Sequence, residues 1–206
     1  MFIAIEGIDG SGKSTLASSL EKVLSSYNYR VFSTYEPTDK FRENQEFLEK
    51  AGREEPLLLL SLFLKDRIDH SKEIEAKLEA GNIVICDRYS LSTFAYQGSM
   101  LKNNFKDEIS WIKWMENALG IVHLVPELTI YLDLDPKEFL ARKKENRQYE
   151  MFENEAYLRS VHDAYRKAID HNILSKSFHI CDARLPRNQV LECALEGIRR
   201  KTNLLQ

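Results

Sequence analysis

The sequence predicts an α/β fold: a five-stranded parallel sheet with helices packed on both faces. Two observations predict it. Short apolar runs rich in Val, Ile and Phe alternate with longer segments of helical apolar spacing along the 206 residues. The first apolar run also passes through a glycine-rich turn straight into the first helix, Gly7-Ile8-Asp9-Gly10-Ser11-Gly12-Lys13-Ser14. Open parallel sheets bind anions at such junctions. No repeat, low-complexity tract or Gly/Ser/Pro linker divides the chain, so residues 1–206 are expected to form one domain.

The elements follow in order. Phe2–Glu6 is short, apolar and followed by glycine, a buried strand. Ser14–Tyr27 carries Leu16, Leu20, Val23 and Leu24 on one helical face. Arg30–Tyr35 is the second strand, closed by Glu36-Pro37-Thr38. A long helix opens at Pro56 and ends at Gly81, with Leu57–Leu64, Ile68, Ile74 and Leu78 at helical spacing. Asn82–Cys86 is the third strand, ending at Asp87. Ser110–Leu124 reads as a helix with Trp111, Trp114, Met115 and Leu119 inward. Leu128–Leu134 is the fourth strand, and Asp135-Pro136-Lys137-Glu138 a capping box with proline at the first helical position. A basic stretch, Arg142 to Arg147, precedes a helix over Glu155–Ile173. Phe178–Cys181 is the fifth strand and Gln189–Arg200 the closing helix.

Composition excludes several classes. Lys plus Arg is 29 and Asp plus Glu 32, a net charge of −3, so no bulk field draws the chain onto nucleic acid or an anionic membrane. The N-terminus lacks the basic start and long apolar run of a signal peptide, and the most apolar segment, Leu57–Leu64, is soon broken by Lys65, Asp66 and Arg67. A soluble, cytoplasmic protein is expected. The three cysteines, Cys86, Cys181 and Cys193, lack metal-ligand spacing and are expected to be reduced, buried thiols.

The Gly7–Ser14 turn satisfies G-x-x-x-x-G-K-[ST] with a strand before and a helix after. Its glycines let successive N–H groups point at phosphate oxygens. Gly7 through Thr15 are thus expected to bind ATP, with Lys13 reaching the β- and γ-phosphates and Ser14 holding Mg²⁺. A regulatory GTPase is disfavoured: strand three ends Asp87-Arg88-Tyr89-Ser90 rather than D-x-x-G, and N-K-x-D does not occur. An arginine directly after a strand-end carboxylate instead sets a cationic fork at the C-terminal sheet edge, suited to a second phosphate.

At Asp87-Arg88-Tyr89, continuing to Ser92-Thr93-Phe94-Ala95-Tyr96-Gln97, the chain resembles the thymidylate kinases, which phosphorylate dTMP to dTDP. The resemblance covers nearly the whole chain: residues 2–15, E-P-T at 36–38, L-F-L-K-D-R at 62–67, Y-L-D-L-D-P at 131–136 and the stretch from Phe152 to Tyr165. It implies a P-loop nucleoside monophosphate kinase fold with a short lid, MgATP and dTMP as ligands, and a homodimer. It also implies roles. Phe63, four residues before Arg67 and on the same helical face, would stack on thymine, and Arg67 would bond a base oxygen. Arg88 would grip the dTMP phosphate and Asp9 the 3′-hydroxyl. Asp87 would hold Mg²⁺ through water; Glu36, Ser92, Thr93, Tyr96 and Gln97 would line the base and sugar. Where Tyr35 stands, many relatives carry an arginine, for which Arg42 is a substitute.

In another subtype of the family an arginine occupies the place of Gly10. Its absence points to the basic run, and Arg142 or Arg147, then Lys144, is expected to bring a catalytic cation on a lid at about 142–153. Such an arginine contributes about 10³–10⁵ in rate in other phosphoryl-transfer enzymes. An ionised phosphate acceptor needs no general base. Three other readings remain open at this point: a deoxynucleoside kinase with Glu36 as base, a kinase for another pyrimidine monophosphate, and a nucleotide-binding protein without turnover.

Overall fold

The structure, a computed structural model, describes residues 1–42, 55–143 and 155–201, excepting the side chains at positions 42 and 141–143. Among these residues five strands form one all-parallel sheet in the order β2-β3-β1-β4-β5. They are β1 (Phe2–Glu6), β2 (Val31–Tyr35), β3 (Ile83–Asp87), β4 (Leu128–Asp133) and β5 (Phe178–Asp182). The helices are α1 (Lys13–Ser26), α2 (Asp39–Arg42), α3 (Pro56–Glu79), α4 (Ser90–Leu101), α5 (Glu108–Leu119), α6 (Pro136–Lys143), α7 (Glu155–Asp170) and α8 (Arg187–Lys201).

Every residue of β1 is buried, whereas edge strands β2 and β5 are partly exposed. Helices on both faces explain why the central strands read as unbroken apolar runs. Successive side chains still alternate. Ile3 and Ile5 enter the larger apolar core with Ile83 and Ile85; Phe2 and Ala4 enter a smaller one with Val84, Cys86, Ile74 and Tyr89. The register pairs Ile5 with Asp87, so the loops leaving β1 and β3 emerge side by side. Ligands of open parallel sheets bind at this edge.

The structure departs from the sequence expectations at several places. Residues 90–101 form a helix that sequence periodicity did not signal: ten of its twelve residues are buried, leaving no polar face to betray a period. Helix α5 starts and ends earlier than expected, at Glu108 and Leu119, because Asp107 caps it through the Ser110 amide at 2.8 Å and Gly120 ends it. Trp114 is not inward; it is 38% exposed with its ring 5.3 Å from Phe105, and Ile112 takes the inward place. Cys181 and Cys193 are disulfide-bonded rather than reduced, because α8 folds back over β5 and brings their Cα atoms to 6.0 Å. Cys86 is the buried free thiol. Asp135 caps α6 as expected of its type, but on the Lys137 amide at 2.8 Å. No helix among the described residues is long and apolar enough to cross a membrane.

Candidate active site

The glycine-rich turn joins β1 to α1 along a cavity of about 820 Å³. Asp9 through Thr15 line it; Gly7 and Ile8 lie behind and contribute carbonyls. Lys13 is buried and donates to the Ile8 carbonyl at 2.8 Å. Burial, then the nearby Arg88 charge, pushes its ammonium down to about 8, so it is protonated at neutral pH. Ser14 donates to the Asp87 carboxylate, whose Oδ1 is buried without a hydrogen-bond partner among the described residues. A hydroxyl and an orphaned carboxylate oxygen are the hard donors Mg²⁺ takes. Gly10 has φ +70°, and a Cβ there would come within 2.4 Å of the Phe139 ring of α6. The position Gly10 holds has no room for a side chain.

A second cavity, of about 290 Å³, opens beside the first. The structure brings Asp9, Glu36, Phe63, Arg67 and Arg88 together around it, with Ser92, Thr93, Tyr96 and Gln97 from α4. Asp9, Glu36 and Arg88 border both cavities. Arg88 sits in the left-handed region at φ 72°, a strained conformation for a side-chain-bearing residue. Its amide donates to the Ile5 carbonyl at 2.9 Å, tying the turn to β1. Its guanidinium bonds the Gly7 carbonyl and Ser92 Oγ, each at 3.2 Å, pairs with Asp9, and lies 5.1 Å over the Tyr96 ring. Burial lowers its pKa, but Asp9 and its neighbours carry it well above the usual value, so the charge is permanent. Partial burial works to raise the Asp9 pKa; Arg88, Lys13 and the Tyr96 hydroxyl, which donates to it at 2.8 Å, outweigh that and lower it.

Arg67 is 1% exposed. Its Nε and Nη2 donate to Glu36 Oε2 at 2.9 and 2.6 Å, and Nη2 also reaches Thr93 Oγ1 at 2.8 Å. Nη1 is left buried with no partner among the described residues, on a side chain that lines the smaller cavity. An unsatisfied buried donor costs about 1–3 kcal/mol and calls for an explanation. Phe63 stands one helical turn before it, its ring 4.5 Å from Phe41 of α2.

Sequence reasoning missed several residues. Glu6, fully buried, accepts from the Tyr89 and Ser92 amides at 2.8 and 3.2 Å and from Ser92 Oγ at 2.5 Å, capping α4 from β1. Burial pushes its carboxyl up to about 7 against these hydrogen bonds. No motif could have paired Glu6 with a helix so distant in sequence. Pro37 and Tyr89 complete the smaller cavity, and Leu185, Arg187 and Val190 close the larger one. Their one sequence signal was position, after strands ending at the ligand edge. Tyr35, 38% exposed, borders the larger cavity. The lid expected at 142–153, the Arg142 side chain, Lys144, Arg147 and the Arg42 side chain lie outside the described residues.

The parallel sheet, its glycine-rich turn and the paired cavities fit the nucleoside monophosphate kinases. A family model described as "Thymidylate kinase" matches residues 5–193, and the chain belongs to the thymidylate kinase family. It is 40% identical over 168 residues to a probable thymidylate kinase of Thermoplasma acidophilum, covering 81% of this chain and 82% of that one. It is 36% identical over 203 residues to one of Picrophilus torridus, covering 96% and 95%. Among solved structures, thymidylate kinase from Ehrlichia chaffeensis superposes with a TM-score of 0.70 at 28% identity, covering 98% of both chains.

Proposed function

We propose that the chain transfers the γ-phosphoryl group of MgATP to dTMP, giving dTDP and ADP, with donor in the larger cavity and acceptor in the smaller. The observation that carries this reading is that Arg88 borders both cavities while Lys13 borders the first. Two cationic side chains therefore face the place where two phosphates must meet. Lys13 and the turn's amides hold the β- and γ-phosphates, and Arg88 holds the dTMP phosphate. An oxygen of that phosphate forms the bond to Pγ as the bond from Pγ to the bridging oxygen of ADP breaks. No proton needs removal, because the acceptor oxygen is already ionised, so alignment and charge neutralisation supply the catalysis. Ser14 and Asp87 would hold Mg²⁺, which supplies neutralisation of the triphosphate charge when bound.

Arg67 Nη1 gives thymine a waiting donor, Phe63 a stacking face, and Asp9 with Tyr96 a polar clamp on the sugar. Phe139 closes the position at Gly10, which supports a cation arriving from the lid, Arg147 or Arg142, instead of from the turn. Glu36 has one oxygen engaged by Arg67 and the other 3.1 Å from His70, which disfavours its use as a base toward a nucleoside hydroxyl. A homodimer belongs to the same proposal, with Ile109 and Trp114 as exposed apolar residues of α5, and sedimentation should then give twice 24.0 kDa. The deciding experiment measures ADP release with dTMP, dUMP, UMP, CMP, AMP and thymidine. Turnover should be fastest with dTMP; turnover with thymidine but not dTMP overturns the reading.

A further inference from the structure

Behind the Arg67–Glu36 pair stands a second tier, His70 and Thr34; His70 borders neither cavity of the proposed reaction, and Thr34 lines the larger one. His70, one turn after Arg67 on α3, is 4% exposed. Its Nδ1 lies 3.1 Å from Glu36 Oε1, and its Nε2 lies 2.7 Å from the Thr34 hydroxyl of β2. A carboxylate only accepts, so Nδ1 carries the proton of that bond. Glu36 is thereby held at both oxygens, one by His70 and the other by Arg67. Arg67 is in turn held at Nε and Nη2, and its Cζ rests 5.1 Å over the Tyr89 ring. One of its nitrogens, Nη1, has no partner among the described residues.

We propose that Thr34 and His70 are positioning residues for base selection: by fixing Glu36 they fix Arg67 so that Nη1 presents a donor to the base. This rests on the reading that the smaller cavity takes dTMP. A rigid N–H donor accepts a ring carbonyl and opposes an amino group, whose own hydrogens it would meet. The proposal sets against Nη1 the base edge that carries a carbonyl in thymine and uracil and an amino group in cytosine. A pocket built around a fixed polar group discriminates by leaving that group unpaired with the wrong ligand. Should Glu36 lose its His70 anchor, its carboxylate and the attached guanidinium could rotate together, and the donor would no longer be aimed. Discrimination between carbonyl and amino would fall, whereas discrimination at the 5-methyl group, which involves no polar contact, would not.

The test compares kcat/KM for dTMP, dUMP and dCMP in the wild type and in His70→Ala, His70→Asn and Thr34→Val, with KM for ATP as control in the two His70 variants. Wild-type turnover of dTMP comes first; its absence sinks the parent reading and leaves no role to position. Given that turnover, His70→Ala should lower the dTMP-to-dCMP ratio by about tenfold or more, the worth of a hydrogen bond to a charged group. The dTMP-to-dUMP ratio and KM for ATP should stay within about twofold. His70→Asn, whose amide can replace Nδ1–H, should recover most of the lost ratio, and Thr34→Val should lower it by about threefold. If His70→Ala is insoluble, Thr34→Val and His70→Asn carry the test. An unchanged dTMP-to-dCMP ratio in the folded variants, or an equal fall for all three nucleotides, overturns the proposal.

Discussion

The two cavities sit side by side yet are built in opposite ways. The larger takes eleven consecutive residues, 9–19, into its wall, and the charged side chain at its heart, Lys13, donates a hydrogen bond to the Ile8 carbonyl of the same turn. The smaller draws on the loops that follow β1, β2 and β3 and on α3 and α4, and its cations are tied by several bonds each before any ligand arrives. On the proposed reading, the contrast teaches that phosphate binding is a local device, carried by backbone curvature. Recognition of the proposed acceptor is then a tertiary device, carried by side chains that hold one another. Preorganised dipoles and charges need no rearrangement when charge develops.

The largest blow to the local device is Lys13→Ala. Turnover should fall by about 10³-fold, as for the loss of one preorganised donor to developing charge, with the thermal midpoint unchanged or raised because a buried ammonium is removed. Initial-rate assays and a melting curve check both halves. Arg88→Ala tests the tertiary device. KM for dTMP should rise by about 10²-fold, consistent with about 2–5 kcal/mol for stripping one partner from a buried charge pair, while KM for ATP changes by a few-fold. Equal weakening of both would erase the distinction between the cavities.

Glu6→Gln sharpens the comparison through pH. The Glu6 carboxyl is raised from 4.5 to about 7 by burial, so between those values the folded protein keeps a proton that the unfolded chain has released. Its contribution to stability is complete below about pH 4.5 and is lost as pH rises through 7. Relative to Glu6→Gln, the ligand-free wild type should therefore lose about 3 kcal/mol from pH 4.5 to 7.5 and nothing further above that. Urea melts at three pH values test this; a pH-independent difference would place the Glu6 titration elsewhere. The smallest effect is expected from Gly10→Ala, about 1–3 kcal/mol of destabilisation from the strained φ and the Phe139 contact. Adding Phe139→Ala should recover part of it, and a double-mutant cycle measures how much.

This division also explains what could be read from the sequence. The turn between β1 and α1 was legible because its signature lies in contiguous residues, Gly7 through Ser14, between one strand and one helix. The alternation of apolar runs with helical segments disclosed the five-stranded sheet, since buried parallel strands carry few polar residues. Helix α4 escaped because burial on all sides removes the contrast that marks a period. For the smaller cavity, family resemblance indicated which residues gather but not what binds them together. The Glu6 cap on α4 and the Thr34–His70–Glu36–Arg67 chain join elements far apart in sequence, and only the folded chain sets those distances. The Cys181–Cys193 bond was misread for the same reason: two apolar-stretch cysteines look alike whether or not a helix returns over a strand.

The pairing of Ile5 with Asp87, locked by the Arg88 amide on the Ile5 carbonyl, has a metric consequence. In the proposed reaction the donor grip is fastened to one strand and the acceptor grip to its neighbour, so the gap between the reacting atoms would be set by how the two strands are aligned lengthwise. A slip of a single residue would displace one grip by about 3.3 Å, while a misplacement of about 1 Å can already cost a hundredfold in rate. The ladder at the centre of the sheet thus acts as the ruler of the reaction.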